Sequence, residues 1–405
     1  MSTFCVLPWL HLASHPHGGV TLCCVSNHDK GVNRSRNFRE DGSTEWLNLN
    51  QNSTDEIMNS DYFRQVRKQM LDGRKPLACM RCFREEENGV KSKRLAENEN
   101  FADLTREVAA LETDNDGRIA PKLRFVELRL GNICNVKCRS CNPASSSKWV
   151  VEYAQLEQKF DFVRSYQGLT GFDWPEKDLF WDDLFENSTH LELIYINGGE
   201  PTLIKKHWEF LERLRASGKA KDVVLWYNIN MTNLPESAFE VWRSFKEVRI
   251  SCSIDDLGER NALLRYGTKW ADVERNLDRL QKETWINTSV NQTIGWQNLL
   301  TVPEYYQYMK HGRGLHVHFN YIYDPEYLAP WILPERIKMA ALAKMEPVLA
   351  DYDFNSIKSQ LLNNPSNPDL LRRGITYNGA LDANRSEKSE DVFPELYALL
   401  KGLND

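Results

Sequence analysis

The chain has 405 residues, 41% of them hydrophobic and 27% charged, the balance of a folded globular protein of two or three domains rather than a disordered one. Lys and Arg number 51 against 57 Asp and Glu, a formal charge of −6 that offers no general basic surface to nucleic acid or anionic membrane. No apolar run approaches the roughly 18 residues of a membrane span, and the start, MSTFCVLPWLHLASHPHGG, lacks the basic and continuous apolar parts of a secretory signal, so a cytoplasmic setting is expected.

Nine cysteines, an odd number, fall in groups: Cys5, then Cys23 and Cys24, then Cys79 and Cys82, then Cys134, Cys138 and Cys141, with Cys252 alone. Reduced thiols grouped two or three residues apart point to metal rather than to disulfides. Residues 1–95 read as a small loop-rich cysteine module, with turns at His17-Gly18-Gly19 and Asp41-Gly42-Ser43. One helix is predicted there, over Thr54 to Leu71 with a stop at Gly73. So irregular a segment needs a staple, and five of the nine cysteines lie in it. His11, His15 and His17 lie near enough in sequence to replace a cysteine but read as ordinary loop residues. Residues 96–120 form a linker. The charged stretch over 85–120 reads as a solvated helical segment ending in the turn Asp114-Asn115-Asp116-Gly117.

From residue 121 to 335 strands alternate with helices. Strands are expected at Phe125–Leu130, Leu191–Ile196, Val223–Ile229, Glu247–Ile254, Thr288–Ile294 and Leu315–Tyr323, with helices such as Trp270–Leu280 and Val302–Lys310 between them. Six such units predict an α/β fold with a parallel sheet closed into a barrel or partial barrel, its chemistry at the C-terminal ends of the strands. Residues 336–405 read as a helical C-terminal extension, including Val392–Leu403, that caps the barrel bottom or covers its mouth.

Cys134-Asn-Val-Lys-Cys138-Arg-Ser-Cys141 sets three thiols in one loop after the first of these strands. A loop of this length can hold three irons of a 4Fe–4S cluster and leave the fourth iron open. A structural zinc would need a fourth protein ligand that no nearby Cys or His supplies. Gly198-Gly199-Glu200-Pro201 follows the second strand, and period two places Ser251, Ser253 and Asp255 on one face of the fourth, with Cys252 opposite as a core residue. Here the chain resembles the radical S-adenosylmethionine (SAM) superfamily, whose mark is a C-x3-C-x2-C loop after the first strand of a TIM-like partial (β/α)6 barrel. The resemblance implies that Cys134, Cys138 and Cys141 bind the catalytic 4Fe–4S cluster. It implies that Gly198, Gly199, Glu200 and Pro201, like the family's GGEP segment, meet the methionine amino group of SAM. Asn230, Thr232 and Asn233 resemble a polar strand end of the family. By the same similarity Ser253 and Asp255 hydrogen-bond the ribose or carboxylate of SAM. Arg265 matches an arginine that pairs with that carboxylate, a surface salt bridge being the other reading. Asn298, and Tyr321 to Tyr323, stand where the family contacts adenine or substrate, or else they pack. One departure is Ser140, where many members carry an aromatic residue that touches adenine.

The N-terminal cysteines resemble a second module of that superfamily. Cys5-x2-Pro8-Trp9, Gly18-x4-Cys23-Cys24 and Cys79-x2-Cys82 are similar to the twitch, or half-SPASM, module. Cys5, Cys23, Cys79 and Cys82 would then ligate a second, auxiliary 4Fe–4S cluster, with Cys24 a neighbour or an alternative ligand. A structural zinc on the same four thiolates is the other reading. In familiar relatives this module follows the barrel, whereas here it precedes it. The resemblance implies an enzyme, of oxidoreductase or peptide or small-molecule modification type, that cleaves SAM reductively to a 5′-deoxyadenosyl radical and takes hydrogen from a small-molecule or peptide substrate. It implies an electron donor such as flavodoxin or ferredoxin, and an auxiliary cluster that serves oxidation or cross-linking. No separate leader-peptide domain is visible beside the cysteine motifs. The contrasting reading is a zinc-stapled, non-catalytic binding protein on a degenerate barrel.

Overall fold

A computed structural model describes residues 3–26, 33–87, 91–106, 114 and 116–402. The chain is α/β, with eight strands in a mostly parallel sheet: β1 His11–Ser14, β2 Val20–Thr21, β3 Phe125–Arg129, β4 Leu193–Asn197, β5 Val224–Ile229, β6 Glu247–Ser253, β7 Ile286–Ile294 and β8 His316–Tyr321. Their order is β8-β7-β6-β5-β4-β3-β1-β2. The six strands expected after residue 121 all form, each end within two residues of its expected place. The first two strands are additions that the sequence reading did not contain. All four residues of β1 are buried, so the strand shows no polar–apolar alternation. His11 opens this strand and is wholly buried, with Nδ1 3.1 Å from Phe125 O, so it is no loop residue.

The chain divides into two compact units. The first holds Met1–Ile133, Gly168–Tyr227 and Pro235–Val248. Within it β1 pairs antiparallel with β2 and parallel with β3, His11 opposite Phe125. β3 and β4 run parallel with Phe125 opposite Leu193 and Arg129 opposite Asn197, and β4 and β5 continue the pattern from Leu193 opposite Val224. Ile194, Ile196, Leu225 and Tyr227 are buried on one face, while Tyr195, Asn197 and Trp226 alternate onto the other. The helix expected over 54–71 is two, Thr54–Met58 and Asp61–Leu71. Ser53 and Glu56 form a capping box that starts the first. Asn59 ends it: its side-chain amide exchanges two hydrogen bonds with the backbone of Ile119, at 2.9 and 3.0 Å, and donates to Asp55 Oδ1 at 3.0 Å.

The charged stretch carries helices Met80–Glu87, Lys93–Asn100 and Ala102–Arg106, and its residues 88–90, 107–113 and 115 lie outside the described residues. It is not simply a solvated face. Arg94 is 5% and Glu97 9% exposed, because the helix Lys93–Asn100 is turned inward onto the chain around Cys5.

The second unit holds Cys134–Gln167, Asn228–Leu234 and Arg249–Asp405. β7 and β8 run parallel, Ser289 opposite His316. A short antiparallel ribbon joins Lys137–Cys138 to Arg265–Tyr266. The helix expected over 302–310 is α-helical at Val302–Tyr306 and then widens to a π-helical turn over Gln307–Gly312. The C-terminal extension is helical at Glu335–Met345, Asp351–Asn363, Pro368–Arg385, Ser389–Val392 and Pro394–Lys401. The helix expected from Val392 instead restarts at Pro394, which fits a first helical turn and no interior position. Its expected end, Leu403, lies outside the described residues. Among the described residues no helix is long and apolar enough to cross a membrane.

Candidate functional site

The loop of the cysteine triplet belongs to the second unit, and its backbone is held on several sides. Ser146 Oγ donates to Val136 O at 2.7 Å, Trp149 Nε1 to Cys138 O at 3.0 Å and Cys141 N to Cys138 O at 2.9 Å. Asn230, at the end of β5, places Nδ2 2.8 Å from Asn135 Oδ1 and 4.0 Å from Cys134 Sγ. Thr232 completes that corner, donating to Asn230 Oδ1 at 2.6 Å and accepting from Asn135 Nδ2 at 2.8 Å. Cys134 and Cys138 are buried with Val136, and Cys141 packs against them. Burial pushes the Cys138 thiol up to about 11, against the opposing pull of Arg265, and burial followed by the Cys138 neighbour raises Cys141 further. Thiolates in such a place need facing positive charge, which irons would supply.

Arg265 stands opposite Cys138 in the short ribbon and gives Nη1 to Asp255 Oδ2 at 3.0 Å. Burial opposes the charge of Arg265, but Cys138 and Asp255 outweigh it and hold the guanidinium cationic. Its Nε is buried and has no partner among the described residues. Asp255 is buried and fixed from three directions: Thr293 N reaches Oδ1 at 2.9 Å, Asn261 Oδ1 accepts from its N at 3.1 Å, and Gln292 Nε2 and Asn298 Nδ2 reach its carbonyl at 3.0 and 2.8 Å. Asn298 also donates to Thr293 O at 3.1 Å and accepts from Gly295 N at 2.9 Å, so its amide is engaged in shaping this strand end. Ser253 is half-buried at the end of β6, while Cys252 is wholly buried and raised by desolvation alone. A small recess of about 20 Å³ lies beside Ser140, Asp255, Thr293, Trp296, Asn298 and Ile322. Tyr323 is exposed and donates to Gln360 at 3.2 Å.

In the first unit, the Gly198–Pro201 segment follows β4 and is pressed onto the chain that leaves β3. A Cβ on Gly199, at φ +55°, would stand 2.4 Å from Ile133 O, and one on Gly198, at φ +77°, 2.8 Å from Arg129 Cα. Only glycine fits both the conformation and the space. Glu200 N donates to Ile133 O at 2.7 Å, and Ile133 precedes Cys134 in the sequence. The Glu200 carboxylate is 1% exposed and accepts from Thr202 N and Oγ1 at 3.2 and 2.8 Å.

Cys5, Cys23, Cys79 and Cys82 also lie in the first unit, and among the described residues no cysteine is in a disulfide. Burial pushes Cys5 up to about 12, with Cys82 a further cause. Burial raises Cys23 well above the thiol range, with Cys24, Cys5 and Cys79 adding to it, and burial together with Cys5 and Cys82 does the same to Cys79. Cys24 faces other company: after burial, Glu127 and then Lys93 govern it, and it is pushed up to about 11. Side chains unremarked in the sequence hold this site. Asn98 accepts from Val6 N and donates to Phe4 O, both at 2.9 Å, while Arg94 Nη1 donates to Phe4 O at 2.8 Å, clasping Cys5 between them. Arg67, wholly buried, donates to Pro8 O, Met58 O and Gly117 O at 2.9, 2.7 and 2.8 Å. Among the described residues no three His, Cys, Asp or Glu side chains converge on a position for a single metal ion, which would need each donor about 2.0–2.3 Å from one point.

Residues 5–83 match the SPASM family, an iron–sulfur cluster-binding domain. A comparison with curated proteins returns no match. Among solved structures, native anSMEcpe with bound AdoMet is similar at 20% identity and a TM-score of 0.40, over 60% of this chain and 63% of that one. SuiB of Streptococcus suis bound to S-adenosylmethionine is similar at 12% identity and a TM-score of 0.35, over 81% and 67%. The same SuiB bound to the precursor peptide SuiA gives 12%, 0.31, 70% and 72%. This chain therefore spans less than two thirds of the anSMEcpe chain, and it carries a SPASM-type iron–sulfur domain at its own N-terminal end.

Proposed function

We propose that the chain is a radical SAM enzyme that takes hydrogen from a peptide or small-molecule substrate, with an auxiliary 4Fe–4S cluster in its N-terminal module. The observation that carries this reading is the triplet loop itself: three thiols on a backbone fixed by side-chain hydrogen bonds, with Arg265 and Asp255 paired beside Cys138. Bound there, a 4Fe–4S cluster and SAM would supply reductive cleavage of SAM to a 5′-deoxyadenosyl radical that takes hydrogen from the substrate. The chain's own residues do the rest. Cys134, Cys138 and Cys141 hold three irons, and Arg265, with its unpaired Nε, meets the SAM carboxylate while Asp255 fixes the guanidinium plane. The backbone of Gly198 and Gly199 and the carboxylate of Glu200 receive the amino group, with Pro201 starting the turn that fixes Glu200. Ser253, half-buried at the end of β6, and Asn298, in the recess beside Ser140, border the adenosine.

On the same reading residues 1–95 are the auxiliary module, 96–120 a linker, 121–335 the catalytic core and 336–405 a helical extension. Cys5, Cys23, Cys79 and Cys82 ligate the second cluster, and Cys23 is chosen over Cys24 because it shares its surroundings with Cys5 and Cys79. The auxiliary-cluster assignment is supported by the SPASM match over residues 5–83. A flavodoxin- or ferredoxin-like donor supplies the electron.

The test is anaerobic iron and sulfide analysis with SAM cleavage under reducing conditions, wild type beside the Cys134/Cys138/Cys141→Ala variant. About eight irons falling to about four, with loss of 5′-deoxyadenosine, is expected from two four-iron clusters. Four irons and one zinc would retain the enzyme and remove the auxiliary redox role. No iron and no cleavage in folded protein would overturn the reading.

A further inference from the structure

The two residues that flank Cys138 are both tied to the C-terminal helices of the same unit. The Arg139 side chain is 2% exposed and spends its guanidinium on five acceptors. Nε donates to Leu263 O at 3.1 Å, Nη1 to Asn378 Oδ1 and Ser389 Oγ at 3.0 Å each, and Nη2 to Asp382 Oδ1 and Glu387 Oε2 at 2.5 and 2.8 Å. Its backbone N also donates to Leu264 O at 2.7 Å. On the other side, Lys137 Nζ lies 2.6 Å from Glu152 Oε2, and Glu152 accepts from Arg385 Nε at 3.0 Å and Nη2 at 3.1 Å. The Arg385 guanidinium lies over the rings of Trp149 and Tyr266, at 4.7 and 4.5 Å. Asp382 and Glu387 are thus both bound to the residue between the second and third cysteines, 243 and 248 positions earlier in the chain. Three cations, Lys137, Arg139 and Arg385, meet three carboxylates, Glu152, Asp382 and Glu387, so the network balances its charge and tolerates burial only while every member is present.

We propose that Arg139 is a positioning residue that makes the C-terminal extension part of the catalytic cluster's scaffold. A guanidinium presents its donors in one rigid plane, so five acceptors on three segments fix its orientation, and with it the turn from Cys138 to Cys141. The spacing of the three sulfurs, and the environment the cluster experiences, then depend on the helix Pro368–Arg385 and the turn after it. The inference rests on the reading that the triplet holds a cluster, and it settles what the extension does: it braces the cysteine loop.

Two variants test it in the full-length protein, prepared anaerobically. Arg139→Lys keeps the charge and loses the planar fork. Glu387→Gln removes one negative charge at a half-buried position, keeps a carbonyl oxygen for Arg139, and leaves the other four acceptors in place. Iron and sulfide are counted, and electron paramagnetic resonance of the reduced protein is recorded with and without SAM, together with the midpoint potential. Arg139→Lys is expected to lose at least half of the triplet iron while keeping the four irons of the auxiliary site. Glu387→Gln is expected to keep its iron but to show an altered potential and a weaker spectral response to SAM, which Glu387→Asp restores. Full iron in Arg139→Lys with the wild-type spectrum and SAM response overturns the brace. Should Arg139→Lys not fold, Glu387→Gln decides alone, and an unchanged potential and SAM response there overturns the proposal. Wild-type iron that the triple alanine variant does not reduce would instead overturn the underlying reading of the triplet.

Discussion

The three thiols of the 134–141 loop come from one stretch of chain, whereas the four of the first unit are collected from three: Cys5, Cys23, and the helical turn that carries Cys79 and Cys82. The consequences differ in kind. The triplet loop closes on itself, with Cys141 N on Cys138 O and Ser146 and Trp149 on the carbonyls between, so much of its shape is local. The four-thiol site has no such loop. Its geometry depends on Asn98 and Arg94 clasping the chain at Cys5 and on Arg67 tying Pro8, Met58 and Gly117 together from inside. A site assembled by long-range contacts is more easily lost through a residue that never touches its ligands.

The largest effect expected from breaking this contrast is therefore at Arg67. Arg67→Met removes the donors of three buried carbonyls, and each buried acceptor left without a partner costs about 1–3 kcal/mol. A loss of about 4 kcal/mol, read from the urea midpoint, should accompany loss of the N-terminal iron while the triplet iron stays. Equal loss at both sites would show that the two units do not respond separately.

A smaller effect is expected at Gly199. Alanine there meets both a left-handed backbone and an Ile133 carbonyl 2.4 Å away, together costing about 2–3 kcal/mol. Because Ile133 leads into Cys134, Gly199→Ala should also weaken SAM binding, measured by SAM-induced change in the cluster spectrum. Unaltered stability and SAM response would mean that this segment is an ordinary turn.

How far the sequence reveals each site follows from the same contrast. Cys134, Cys138 and Cys141, Gly198–Pro201 and the strands from β3 to β8 are legible because each signal is local: ligand spacing, paired glycines, alternation over five to nine residues. Arg265 is legible through the family resemblance, but its place opposite Cys138 in a two-residue ribbon and its pairing with Asp255 are not. β1 is silent because a strand buried throughout carries no period. Arg94, Asn98, Arg67 and Arg139 are silent because their partners lie far along the chain, and nothing in a charged run distinguishes an arginine bound for the core from one in solvent.

Acid should separate the two units next. His11 and His207, both in the first unit, are wholly buried and lowered to about 3, in each case chiefly by desolvation. Their folded values lie below the ordinary 6.5, so the unfolded chain takes up protons that the folded chain refuses. The stability they allow is present above pH 6.5 and falls as the pH drops toward 3, by about 1.4 kcal/mol per unit for each histidine. Urea midpoints at pH 7 and pH 5.5 should differ by that slope, and His11→Gln should flatten it by the share of one histidine. A variant with the wild-type slope would show that His11 is protonated in the folded chain.

The smallest expected effect is at Cys24, and it sharpens the comparison most. Cys23 and Cys24 are adjacent, yet Cys23 shares its surroundings with Cys5 and Cys79, while Glu127 and Lys93 govern Cys24. Cys23 opens a turn that Ser26 N closes on Cys23 O at 3.2 Å, and Cys24 is the next residue within it, so the two side chains leave the chain in different directions. Cys23→Ser should therefore remove about four irons, one cluster's content. Cys24→Ser, which keeps a small polar group beside Glu127, should leave iron and sulfide unchanged and move the urea midpoint by less than about 1 kcal/mol. The reverse result would exchange the two roles. Equal iron loss in both would mean that the site needs both cysteines, whereas full iron in both would mean that it accepts either, its geometry being set by the clasp at Cys5 rather than by the turn after β2.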